Sequence, residues 1–104
     1  MAGYSQKFLA MVDSLKKDLG IKSIPVVTGE IGYFFYERSP LAEQLNGELT
    51  KLASENACLN LVSAQGLNHK GDQTHFDSDS YHELGRRYAQ KMIELQTTCS
   101  SVIQ

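Results

Sequence analysis

Ile24-Pro25-Val26-Val27-Thr28-Gly29 is a continuous run of apolar and β-branched residues closed by a glycine. A run of this kind is the mark of a strand covered on both faces in a parallel sheet. Upstream, Tyr4, Phe8, Met11, Val12, Leu15 and Leu19 recur at helical spacing, with Lys16 and Lys17 in the last turn and Gly20 as a stop. Downstream, Ser39-Pro40 reads as an N-cap followed by proline at the first helical position, and Leu41, Leu45, Leu49 and Leu52 are expected to line one face of a second helix. Cys58-Leu59-Asn60-Leu61-Val62-Ser63 reads as the second strand. A polar loop, residues 64–79, follows it. Ser80-Tyr81-His82-Glu83 then reads as a capping box that opens a third helix running to about Gln96. Residues 97–104 have no clear period and are expected to form a mobile tail. The order helix, strand, helix, strand, helix predicts one α/β domain over 1–104, with a parallel sheet and right-handed crossovers.

Composition narrows the class. At 104 residues, 41% hydrophobic and 21% charged, the chain is ordinary for a single globular domain. Its apolar runs are a few residues long, whereas a spanning helix needs about 20. The start, Met1-Ala2-Gly3-Tyr4-Ser5-Gln6-Lys7, lacks the apolar stretch of a secretory signal. A net charge of -2 with scattered lysines and arginines offers no basic face for nucleic acid and no polybasic anchor for lipid. Cys58 lies in an apolar run and Cys99 in the tail. The two are not expected to form a disulfide framework, so a reduced, cytoplasmic chain is preferred.

In parallel sheets, sites form in the loops that leave the carboxyl ends of strands. The loop after the first strand carries Glu30, Ile31, Gly32 and the aromatic cluster Tyr33-Phe34-Phe35-Tyr36. The loop after the second carries Gly71-Asp72-Gln73-Thr74-His75-Phe76-Asp77. An aspartate three residues before a histidine can hold one imidazole nitrogen while the other faces a reacting group, the orienter and base of a Ser-His-Asp site. Asp72 and His75 are therefore the candidate catalytic residues. Read alone, Asp-x-x-His is more often a local turn with a hydrogen-bonded histidine. His69, Asp72, His75 and Asp77 are also four metal-ligand types within nine residues, but their spacing matches no recognised zinc or calcium pattern. His82 reads as a solvated helix residue.

Four blocks taken together resemble a known family: Ile24-Pro25-Val26-Val27-Thr28-Gly29-Glu30-Ile31-Gly32, Val62-Ser63-Ala64-Gln65-Gly66-Leu67, Gly71-Asp72-x-x-His75-Phe76-Asp77, and Leu84-Gly85-x-Arg87-Tyr88-Ala89. Their order and spacing resemble the sialate O-acetylesterase and acetylxylan esterase family of SGNH hydrolases. The resemblance implies a flavodoxin-like three-layer fold that removes acetyl groups from sugars with no metal or cofactor. It makes His75 the general base and Asp72 its orienter. It also implies a nucleophilic serine in a Gly-Gln-Ser-Asn type block, and an oxyanion-hole glycine and asparagine, all N-terminal to the residues present. The 104 residues thus read as the C-terminal part of such a domain, without esterase activity of their own. Ser63, at the end of the second strand, lacks the Gly-x-Ser-x-Gly setting of a nucleophile and reads as an ordinary strand-end serine.

Two strands cannot cover a parallel sheet, so an open edge is expected, closed by a second copy in a homodimer or higher oligomer. A stand-alone, non-catalytic binding module that dimerises in this way is the alternative function. The cluster 33–36 is open to three readings: a sugar-stacking lip, a protein interface, or a loop folded back on the core, the interface being favoured. Gly85 is expected to allow close helix packing, because glycine otherwise costs about 1 kcal/mol in a helix.

Overall fold

A computed structural model describes residues 3–99. The first helix, α1, spans Tyr4–Leu19 and ends where Gly20 turns left-handed, φ 68°, with its N–H returned to the Lys16 and Lys17 carbonyls. The first strand, β1, spans Val26–Gly29, and the second, β2, Leu59–Val62. They pair in parallel with Val26 opposite Leu59 and Gly29 opposite Val62. The second helix, α2, spans Pro40–Glu55 and makes the crossover between them. The third, α3, spans Ser78–Thr98 and packs on both strands, while α2 packs on β2 and α1 on α2. The architecture is thus mixed α/β with three helices and a two-stranded parallel sheet among the described residues. None of these helices is long and apolar enough to cross a membrane.

Several local expectations are corrected. The segment 33–37 is not an open loop but a short 3-10 helix, Tyr33–Glu37. The first strand is half-buried along its length rather than covered on both faces, because β2 is its only partner among the described residues. In α2 the buried stripe is Ala42, Asn46, Leu49 and Leu52, whereas Leu41 is exposed. The third helix is capped by Asp77, whose Oδ1 accepts the Ser80 N–H at 2.8 Å. That displaces the expected Ser80–Glu83 capping box by three residues, since aspartate at the N-cap satisfies the same free amide.

The largest correction concerns the cysteines. Thr97 and Thr98 continue α3, and Cys99, buried at its end, is bonded to Cys58 just before β2, with 5.2 Å between the Cα atoms. Neither cysteine is unpaired, and residues 97–99 are not a free tail. Residues 100–104, the rest of the expected tail, lie outside the described residues. The two cysteines fit no spacing rule because only the antiparallel return of α3 along the sheet brings them together. Closing 41 residues of chain stabilises the folded state by up to about 4 kcal/mol on the chain-entropy estimate. Bonds of this kind persist in oxidising compartments, which removes the ground for preferring a reduced setting.

Glycine serves opposite ends at two positions. A Cβ on Gly29, the last residue of β1, would collide with the ring and hydroxyl of Tyr88, which lies across the strand end. A Cβ on Gly85 would meet nothing within 4 Å, so this glycine does not serve close helix packing among the described residues. Gly85→Ala is therefore expected to raise stability by about 1 kcal/mol. Gly29→Ala should lower it by about 1–3 kcal/mol through overpacking. Thermal unfolding of the two variants beside the parent checks both signs.

Candidate active site

The site loop is built by short-range polar chemistry. Asp72 Oδ1 accepts the backbone N–H groups of Thr74 at 3.0 Å and His75 at 2.9 Å, and Oδ2 meets His75 Nδ1 at 2.7 Å. The His75 amide, its imidazole and the Thr74 amide together hold the Asp72 carboxyl well below the usual carboxylate range. An ionised carboxylate on Nδ1 favours the tautomer with the proton there, which leaves the Nε2 lone pair free. The imidazole is 59% exposed. Asp72 and His75 thus touch in an arrangement that can take a proton from a group brought to Nε2.

The ends of the loop are stapled to α3. Asp77 N–H donates to the Asn68 carbonyl at 2.9 Å, and Asn68 N–H to Ser80 Oγ at 2.8 Å. The loop doubles back between them, with His69 and Phe76 in an antiparallel bridge and Lys70 N–H on the His75 carbonyl at 3.0 Å. From the other side the 3-10 helix grips it. Arg38 Nη1 donates to the Asp72 carbonyl at 3.0 Å and Thr74 Oγ1 at 2.8 Å, and Gln73 Nε2 to Glu37 Oε2 at 3.1 Å.

Two side chains hold the loop after β1. Glu30 Oε1 accepts the Ala64 N–H at 2.9 Å and the Tyr33 hydroxyl at 2.7 Å, so one carboxylate ties the carboxyl ends of both strands. That bond is the first cause of the upward displacement of the Tyr33 phenol. Asn46, 3% exposed on α2, accepts the Ile31 N–H through Oδ1 at 2.8 Å. Its Nδ2 donates to the Ile31 carbonyl at 2.9 Å and the Tyr36 hydroxyl at 2.8 Å. Tyr33 stacks on Tyr36, and Phe34 sets its edge against Phe76. The aromatic cluster is therefore anchored to its own chain.

Arg87, in the Leu84-Gly85-x-Arg87 block, closes the back of the site. Its Nη1 donates to the carbonyls of Ser63 at 2.8 Å and Gln65 at 3.0 Å, while its Nε meets Glu83 Oε2 at 2.8 Å. Arg86, the larger influence, and Arg87 lower the Glu83 carboxyl to about 2.

The remaining candidates have separate commitments. Ser63 is exposed, and its Oγ accepts the Gln65 N–H in a local turn. Asp77 caps α3, His69 Nδ1 accepts backbone amides, and His82 is exposed. No three histidine, cysteine or carboxylate groups among the described residues converge as a metal site would require. Asn46, Arg38 and His69 carry much of the geometry and were not assigned these roles from sequence. Only Asn46 left a signal: a polar residue on the apolar stripe between Ala42 and Leu49, where a buried amide demands specific partners.

Residues 1–94 match the sequence model of the carbohydrate esterases described as sialic acid-specific acetylesterase. No curated protein matches the chain.

Removing the Asn46 amide would leave the Ile31 N–H and carbonyl without their partners. Asn46→Ala is expected to cost about 1–3 kcal/mol. Denaturant unfolding measures the loss, and an unchanged midpoint would contradict this role.

Proposed function

The chain belongs to the sialic acid-specific acetylesterase family of carbohydrate esterases, and from that premise we propose that it is the base-bearing part of an SGNH-type O-acetylesterase acting on an acetylated carbohydrate. The observation that carries the reading is the 2.7 Å contact of Asp72 Oδ2 with His75 Nδ1, on a carboxylate already fixed by two backbone amides. In this reading, His75 Nε2 takes the proton of a serine hydroxyl as its oxygen attacks the acetyl carbonyl. The proton then passes to the departing sugar oxygen, leaving the acetyl group on the serine. A water, deprotonated in turn by His75, then attacks the acyl carbonyl, and the bond to serine breaks as the serine oxygen takes that proton back from Nε2, releasing acetate. Asp72 keeps the imidazole in one tautomer and stabilises its charged form, without itself taking up the proton. No cofactor takes part in this scheme.

The serine and the oxyanion donors in this reading come from a segment outside these 104 residues. Two features support an unfinished surface. Met11, Leu15 and Leu19 leave one stripe of α1 exposed. The radius of gyration is 15.0 Å, against about 13 Å for a compact chain of this length. The purified chain is expected not to hydrolyse an aryl acetate. Combined with a serine-bearing segment from a family member, it should gain activity that His75→Ala lowers by at least about 100-fold. Activity in that combination unaffected by His75→Ala would refute the assignment.

The open strand edges favour a second reading, a non-catalytic module closed by a second copy across a continuous sheet. That reading expects twice the monomer mass in light scattering at micromolar concentration. A monodisperse monomer that unfolds cooperatively on heating rules it out.

A further inference from the structure

His69 stands one turn before Asp72 and is not part of the base pair. Its Nδ1 accepts two backbone amides at once, Gly71 N–H at 3.0 Å and Gln73 N–H at 3.1 Å. Only an imidazole without a proton on Nδ1 can do this, so His69 is neutral with its proton on Nε2. The two amides flank Asp72. Gln73 has φ 53°, the left-handed region a non-glycine residue occupies only when its surroundings hold it there. Gly71, at φ 115°, bends the chain in the same stretch. His69 is itself fixed, by the bridge to Phe76 and by the Phe34 ring with 5.3 Å between centroids.

We infer that His69 is a positioning residue whose unprotonated Nδ1 shapes the loop so that the Asp72 carboxylate meets both the Thr74 and His75 amides and the His75 ring. The inference rests on the proposed role of Asp72 and His75, and it adds a second histidine that must be neutral. A proton on Nδ1 would point an N–H at two N–H donors, abolishing both bonds and releasing Gln73 from its left-handed turn. Asp77, at the N-cap of α3, is the carboxylate that interacts by charge with the His69 ring. The 3-10 helix presents the Phe34 ring to it, with Glu37 and Arg38 engaging Gln73, Asp72 and Thr74 beyond. A proton on the His69 Nδ1 would therefore cost the loop its shape even with the Asp72 carboxylate ionised.

The test uses two variants of the purified chain. Asparagine places an oxygen where Nδ1 stands but does not titrate, so His69→Asn keeps the acceptor at every pH, whereas His69→Ala removes it. At neutral pH, amide exchange at Gly71 and Gln73 should rise about tenfold or more in H69A and stay at the parent rate in H69N. The Asp72 carboxyl should titrate closer to the ordinary carboxylate range in H69A than in the parent. On acidification, the parent should lose amide protection in one step tracking the His69 ring signals, and H69N should not. Parent-like exchange at Gln73 in H69A, or loss of protection in the same step in parent and H69N, overturns the inference. These readouts do not depend on ester hydrolysis, so their failure is separable from failure of the esterase reading. In the combined enzyme, H69A should lower kcat with little change in KM, and H69N should restore it.

Discussion

One buried amide sets the geometry on which the site depends. Asn46 is held on α2 with its amide closing both hydrogen-bonding groups of Ile31 and the hydroxyl of Tyr36. A part-buried backbone group must find a partner, and Ile31 lies just beyond the last rung of the sheet, Glu30 N–H on the Val62 carbonyl, where no strand among the described residues reaches it. The asparagine fills that need and so decides where the 3-10 helix begins and which way it faces. From there the consequences run outward. The 3-10 helix places Glu37 and Arg38 over residues 72–74 and Phe34 against Phe76 and His69. A contact on one side of the sheet end thus positions a loop that follows the other strand.

The site loop itself is assembled from polar bonds with little burial. The Asp72 carboxylate is partly exposed and the His75 ring more so. Its shape comes from an aspartate that closes a local turn, a histidine that accepts two amides, and staples to α3 at both ends. Such a loop is specified by hydrogen-bond direction more than by burial. Arg87 adds a rigid back, since a guanidinium spanning two carbonyls and a carboxylate leaves the end of β2 little freedom.

Family membership and chain geometry bear on different questions. The match over residues 1–94 establishes descent within the carbohydrate esterases. Descent does not establish present chemistry, which lives in the arrangement of particular groups. The exposed stripe of Met11, Leu15 and Leu19 and the single pairing of β1 among the described residues belong to the same physical picture. Apolar helix faces and strand edges of this kind gain by being covered.

By itself the sequence determined the three α-helices, the two strands and their parallel order, though not the 3-10 helix, because periodicity, Gly20, Pro40 and the β-branched run 24–29 act over a few residues. It also placed Asp72 within reach of His75, since three residues of loop permit that contact locally. Tertiary structure alone decided the Cys58–Cys99 bond, the grip of Arg38 on the site loop, the amide bridge of Asn46 and the seat of Tyr88 on Gly29. Each joins residues 15 to 59 positions apart, which meet only once the elements between them have packed. No local pattern encodes which distant partner a buried polar group or a thiol will find. That choice follows from the packing of the layers.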